Sequence, residues 1–301
     1  MPEIVVISGK GGTGKTSLTA AFAHLAADPV ICDLDVDAPD LHLILQPEIE
    51  ERQEFFSGHE AVIDPEGCNG CGLCHELCRY GAVAETSGRF AIDPLKCEGC
   101  KVCVHFCPVQ AIRFPERHCG RWFLSRTRFG PMVHAQLFPG AENSGRLVAL
   151  LREKAHDVAE RAGRSLILAD GSPGIGCPVI SSLTGADTAI LVTEPTPSGI
   201  HDLGRVADLC RHFKIPAGVI VNKSDLNPAN TEAVQRWCDG GKIDFLGALA
   251  YDAAVTGAMV RRQTVTEFTA DGISASVRRI WERVLTLSEK SQKPEPIAGA
   301  A

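Results

Sequence analysis

The chain has 301 residues, 45% of them hydrophobic and 22% charged, which suits about two globular domains, and its net charge of -7 excludes the broad basic face that nucleic-acid backbones require. No apolar run approaches the roughly 20 residues that span a bilayer, and Met1-Pro2-Glu3 leads into a strand without a basic leader. A cytoplasmic protein with neither membrane nor nucleic-acid partners is expected, and in that reducing compartment its thirteen cysteines point to metal chemistry rather than disulfides.

The first element is a buried strand, Ile4-Val5-Val6-Ile7. It delivers Gly9-Lys10-Gly11-Gly12-Thr13-Gly14-Lys15-Thr16, and a helical run from Ser17 to Ala27 follows. This is the complete G-x-x-x-x-G-K-[ST] pattern in the strand-loop-helix setting it needs. Backbone N-H groups across Gly11, Gly12, Thr13 and Gly14 curl around phosphate, Lys15 reaches the β- and γ-phosphates, and Thr16 ligates Mg2+. A second strand, Pro29 to Leu34, runs into the crowded carboxylates Asp33, Asp35 and Asp37.

Next come Cys68, Cys71, Cys74 and Cys78 and then, 29 residues later, Cys97, Cys100, Cys103 and Cys107, each run spaced C-x2-C-x2-C-x3-C. The same offset relates Ile63 to Ile92, Asp64 to Asp93, Pro65 to Pro94, Gly70 to Gly99 and Ala82 to Ala111, so the segment is an internal duplication. Three thiolates at this spacing wrap one [4Fe-4S] cluster, and the fourth crosses to the other cluster. Cluster one would take Cys68, Cys71, Cys74 and Cys107; cluster two would take Cys97, Cys100, Cys103 and Cys78. Zinc is the structural alternative, but it ordinarily takes four ligands in two pairs. Of the remaining cysteines, Cys32, Cys119, Cys210 and Cys238 read as small apolar core residues.

Residues 113–130 interleave Arg113, Arg117, Arg121, Arg126 and Arg128 with Trp122, Phe123 and Phe129. They read either as a face for an acidic redox partner or the nucleotide, or as a packed connector. Beyond them a helical pattern runs from Gly145 to Ala162, and Ser165 to Ala169 forms a strand ending at Asp170, before Gly171-Ser172-Pro173-Gly174. Further strands near 188–193, 217–222 and 244–249 alternate with a helix from Ser198 to Phe213. The alternation predicts an α/β fold, a doubly wound parallel sheet with helices on both faces. Residues 289–301 are polar and Pro/Ala-rich and read as a disordered tail.

With Lys10 just after its first glycine, the loop resembles that of the deviant Walker A P-loop ATPases, the class of MinD, ParA, Mrp and the nitrogenase iron protein, and the resemblance extends over residues 1–45 and roughly 140–285. It implies a P-loop NTPase fold, ATP with Mg2+, and an ATP-dependent homodimer in which Lys10 reaches the partner's nucleotide. It further implies that Asp35 positions the attacking water as part of a first switch, that Asp170 holds Mg2+ through water, that the Gly174 amide senses the γ-phosphate, and that Asn222 contacts adenine. Asn222-Lys223-Ser224-Asp225 also matches the N-K-x-D motif of GTPases, which leaves GTP open beside the favoured ATP.

Residues 61–115 resemble the bacterial two-cluster ferredoxins, with Pro108 after Cys107 as that family's pattern has it and Arg79 departing from it after Cys78. The expected plan is therefore an ATPase domain over 1–60 and 116–288 with a ferredoxin-like α+β module over 61–115 inserted after the first switch. The whole is similar to prokaryotic MinD-like ATPases with an inserted ferredoxin domain, sometimes labelled cobyrinic acid a,c-diamide synthase-like. Three functions are compatible: an ATP-gated electron carrier serving an unidentified redox partner, an iron-sulfur assembly carrier of the Mrp type, or a regulatory switch with redox-sensing clusters. No C-x-x-C outside the insert supports the second, and no terminal amphipathic helix supports the third. Cys177, seven residues after Asp170, matches one bridging-cluster cysteine of the nitrogenase iron protein, without a counterpart for the other.

Overall fold

The computed structural model describes residues 1–141, 144–241 and 243–292. The chain divides into two units, Met1–Gln53 with Trp122–Gln136 and Ser144–Ala301, and Glu54–Arg121 with Leu137–Asn143. The second unit thus starts earlier than residue 61 and ends later than 115.

The nine-stranded sheet has the order Asp244–Leu249, Ala217–Asn222, Thr188–Thr193, Glu3–Ser8, Ile167–Pro173, Val30–Asp33, Gly130–Leu137, Glu116–Thr127 and Glu48–His59, and the first unit holds the last two only over residues 122–127 and 48–53. The first seven run parallel. Their central members are continuous runs of buried Val, Ile and Leu because helices cover both faces. On one face Ile4, Val6, Ile31, Leu168 and Ile190 pack with the helices Lys15–Leu25 and Ile273–Gln292, where Phe22 stacks on Trp281 at 5.0 Å. Cys32, which points opposite to Ile31, meets the carbonyl of Leu151, so the helix Ser144–Ala162 lies on the other face.

Residues 113–130 are not a connector. The strand Glu116–Thr127 turns at Arg128 and Phe129 into Gly130–Leu137 and widens the sheet. Its inward positions at this end are Phe123, Ser125 and Thr127, which alternate with Leu124 and Arg126, so the period of two is carried by small polar residues rather than Val or Ile. Four of its arginines have acidic partners in their own unit: Arg121 with Glu54, Arg126 with Glu48, Arg128 with Glu267 and Arg117 with Glu60. Gly130, at φ +147°, is required where the hairpin meets the next strand, since a Cβ there would lie 2.3 Å from the Pro29 carbonyl oxygen. The expected tail begins later than residue 289, because the last helix continues to Gln292; residues 293–301 lie outside the described residues.

The second unit displays the duplication as near-symmetry. Val62–Ile63 pairs with Ile112–Arg113 and Val83–Thr86 with Arg89–Ile92, both antiparallel. The Asp64 amide donates to the Ala111 carbonyl at 2.7 Å and the Asp93 amide to the Ala82 carbonyl at 2.7 Å, so each duplicate residue bonds the other repeat's equivalent. The short helices Leu73–Leu77 and Val102–Phe106 each follow a left-handed residue, Gly72 at φ 78° and Lys101 at φ 65°.

Candidate functional site

The strand Glu3–Ser8 ends in the loop 9–14, and the helix Lys15–Leu25 begins directly after it. Gly14 is left-handed at φ 89°, and a Cβ there would lie 2.4 Å from the Asn222 amide nitrogen. Asn222 Nδ2 donates to the Thr13 carbonyl at 2.8 Å, and Lys223 Nζ to the Gly12 carbonyl at 3.2 Å. The loop is thereby strapped to the end of the strand Ala217–Asn222. Beside it opens a cavity of about 460 Å³ whose walls include Gly11, Gly12, Thr13, Gly14, Lys15 and Thr16, with Asp35, Asn222, Tyr251 and Met259 opposite. That size is ordinary for a small-molecule site.

Lys15 is buried among carboxylates. Its Nζ lies 3.0 Å from Asp170 Oδ1 and 3.2 Å from Asp35 Oδ2. Burial alone would pull its pKa down, but Asp170, Asp35 and Asp33 together hold it above the usual lysine value. Asp33 goes the other way, pushed well up by burial and by Asp170. Asp35 is raised by burial, with Lys15 opposing. Thr19 Oγ1 donates to Asp170 Oδ1 at 3.0 Å, and the Asp35 amide to Asp33 Oδ1 at 3.2 Å. The buried oxygens Asp33 Oδ2, Asp170 Oδ2 and Thr13 Oγ1 have no hydrogen-bond partner. Orphaned carboxylate oxygens beside the Thr16 hydroxyl form a hard oxygen donor set, which fits Mg2+.

Other expected residues have intramolecular engagements. Lys10 Nζ, expected to reach a second copy's nucleotide, lies 3.1 Å from Glu194 Oε2 and donates to Thr196 Oγ1 at 3.3 Å in its own chain. Lys223 Nζ takes the other oxygen of Glu194 at 2.5 Å. Burial would raise Glu194, but Lys223 and Lys10 hold it below the usual carboxylate range. The Gly174 amide donates to the Ser8 carbonyl at 2.8 Å, so it can meet a phosphate only by leaving that bond. Asp225 accepts from the Tyr251 amide at 2.6 Å and is not in the cavity wall. Sequence reasoning missed Thr19 and Glu194. Thr19 stands one helical turn after Lys15, and Glu194 is a charge at the end of the buried strand Thr188–Thr193; both signals were available.

In the second unit Cys68, Cys71, Cys74 and Cys107 line one cavity, with Ile63, Phe90 and Ile112 as apolar walls. Cys78, Cys97 and Cys103 pack against the same small core, and Cys100 is exposed. Burial raises the Cys74 thiol, with Cys68 and Cys71 adding to it, and raises Cys103, with Cys97, Cys100 and Cys74 adding. Cys78 and Cys107 accept the Ala82 and Ala111 amides at 3.4 and 3.3 Å. Among the described residues no three His, Cys, Asp or Glu side chains are grouped to hold a single metal ion. A soft donor set of four thiols around an apolar cavity fits an iron-sulfur cluster. Cys32, Cys119, Cys210 and Cys238 are buried, and burial raises all four thiols, the last two to about 12, whereas Cys177 is exposed.

A family model described as the CobQ/CobB/MinD/ParA nucleotide binding domain matches residues 4–265. An uncharacterised protein of Methanocaldococcus jannaschii is 31% identical over 231 residues, 76% of this chain and 80% of that protein. A second uncharacterised protein of that organism is 25% identical over 255 residues, 80% of this chain and 90% of its own length. Among solved structures, MinD of Pyrococcus horikoshii complexed with Mg-ADP is similar at 16% identity and a TM-score of 0.58, over 97% of this chain and 99% of that one. The cell division ATPase MinD of Pyrococcus furiosus follows at 17% identity and 0.56, over 95% and 99%. At such identities the likeness establishes the fold, a mostly parallel sheet of the P-loop NTPase type.

Proposed function

The chain belongs to the CobQ/CobB/MinD/ParA nucleotide-binding family, and from that premise we propose that it is a MgATP-driven switch gating electron transfer through two [4Fe-4S] clusters. The observation that carries the redox half is the placement of Cys107, from the second cysteine run, in the cavity lined by the first three of the first run. Such exchange of the fourth ligand is the arrangement of two-cluster ferredoxins.

At the nucleotide site each residue has a separable task. Lys15 neutralises the β- and γ-phosphates, releasing Asp35 and Asp170 from their ion pairs as it does so. The Thr16 hydroxyl, with Asp170 through water, would hold Mg2+, and the ion would supply neutralisation of charge developing on the transferred phosphoryl group. Asp35, freed and at the cavity wall, orients the attacking water. Lys10 leaves Glu194 to contact the nucleotide of a second copy, completing a homodimer, and Asn222 lies beside the adenine. ATP is favoured over GTP because Asp225, which would read guanine in an N-K-x-D motif, is occupied by the Tyr251 amide. Cys68, Cys71, Cys74 and Cys107 would hold one cluster and Cys97, Cys100, Cys103 and Cys78 the other, and such clusters would supply one-electron chemistry.

Metal and sulfide analysis of the anaerobically purified chain tests this reading. About eight irons and eight acid-labile sulfides per chain are expected. Cys107→Ala should lose the cluster formed mainly by the first run, and stoichiometric zinc in place of iron would overturn the proposal.

A further inference from the structure

The duplicated module provides its own control. Potentials of iron-sulfur clusters are set by cluster type, hydrogen bonds to sulfur, solvent exposure and nearby charge. Between the two repeats the cysteine spacing, the main-chain amide to the crossing cysteine and the exposure of the middle and third cysteines are alike. Both runs have the same spacing, the crossing cysteines accept equivalent amides at 3.4 and 3.3 Å, the middle cysteines Cys71 and Cys100 are both exposed, and Cys74 and Cys103 are both half-buried.

Charge is not matched. The residues immediately beside Cys68, Cys71, Cys74 and Cys107 carry no Lys, Arg, Asp or Glu. Those beside Cys97, Cys100, Cys103 and Cys78 include Lys96, Lys101 and Arg79 against the single acid Glu98. Position by position, Gly67 becomes Lys96, Gly72 becomes Lys101 and Pro108 is replaced by Arg79. Lys96 is partly offset by Asp93 at 3.9 Å. Arg79 and Lys101 have no carboxylate partner among the described residues, Lys101 lying instead over the Phe114 ring at 5.6 Å. Glu76, two residues from both Cys74 and Cys78, bears on both sets, and Glu66 adds negative charge only beside Cys68.

A positive neighbour stabilises the reduced, more negative cluster and raises its potential. We infer that the two cysteine sets hold clusters of unequal potential, with the set Cys97, Cys100, Cys103 and Cys78 the higher, so that a single electron entering the module comes to rest there. This polarity depends on the two-cluster reading above. It does not depend on which protein supplies or removes the electron.

The test is a redox titration of the full chain with dithionite and mediators, followed by electron paramagnetic resonance. Two distinct midpoints are expected in the wild type. In the double variant Arg79→Gln with Lys101→Gly the higher midpoint should fall while the lower stays, narrowing the gap; glycine at 101 matches Gly72 and suits the left-handed backbone there. Pro108→Arg should raise the lower midpoint instead. One shared midpoint in the wild type, or movement of the lower midpoint in the double variant, would overturn the polarity while leaving two clusters in place. A chain without iron and sulfide would overturn the cluster reading and the polarity together.

Discussion

Lys15 shows how a single residue can be legible in type and illegible in setting. The loop pattern announces it as the phosphate-binding lysine, but nothing in the sequence says that Asp170, far along the chain, lies 3.0 Å away. Removing this buried charge strips its partners from two carboxylates, which costs about 3–5 kcal/mol for broken buried pairs. Lys15→Ala is therefore expected to lower the unfolding midpoint in urea and to abolish ATP binding by calorimetry. Asp35→Ala should keep binding yet lose at least about 100-fold in phosphate release, the usual scale for a positioned acid-base group. Because burial raises Asp35 above 3.8, its share of the rate should be absent at low pH and grow as pH rises through the raised value, a dependence missing in the Ala variant. Normal turnover by that variant would remove Asp35 from the first switch. Thr19 and Glu194 stand at positions the sequence marks, but their partners, Asp170 for one and Lys10 with Lys223 for the other, are brought near only by the fold.

Among the elements, six parallel strands were expected near residues 3–8, 29–34, 165–170, 188–193, 217–222 and 244–249, and the first five were legible because burial on both faces forces continuous apolar runs. The strands Glu116–Thr127 and Gly130–Leu137 were not, since Ser125 and Thr127 fill inward positions where periodicity is sought in Val or Ile. That same pair of strands contains His134, buried, stacked on Phe123 and joined to Ser125 at 2.8 Å. Burial, with His42 adding, lowers its pKa to about 4. A histidine lowered on folding contributes stability that is fully present above its unfolded value of 6.5 and is lost as pH falls through about 4, here up to about 3 kcal/mol. Urea unfolding at pH 7 and pH 4.5 should show this loss in the wild type and a smaller loss in His134→Gln, whose amide can still reach Ser125. Equal losses would place the acid sensitivity elsewhere.

For the whole molecule, the duplication made the cysteine module readable, whereas the unit boundaries were not, because the strands Glu48–His59 and Glu116–Thr127 are each divided between the two units. In the proposed switch the second state is a dimer, and the Lys10–Glu194 ion pair must open before Lys10 can join it. Lys10→Ala should bind ATP and remain monomeric in sedimentation, a truncated charge contact costing about 2–5 kcal/mol. Asp35→Ala should accumulate as the MgATP dimer, and Glu194→Gln should dimerise at lower protein concentration than the wild type. Coupling between nucleotide and clusters is tested most directly by timing the oxidation of the dithionite-reduced chain by a one-electron dye, with and without MgATP. MgATP should accelerate oxidation in the wild type and leave an iron-replete Lys15→Ala chain unchanged; a wild-type rate indifferent to MgATP would contradict an ATP-gated electron carrier.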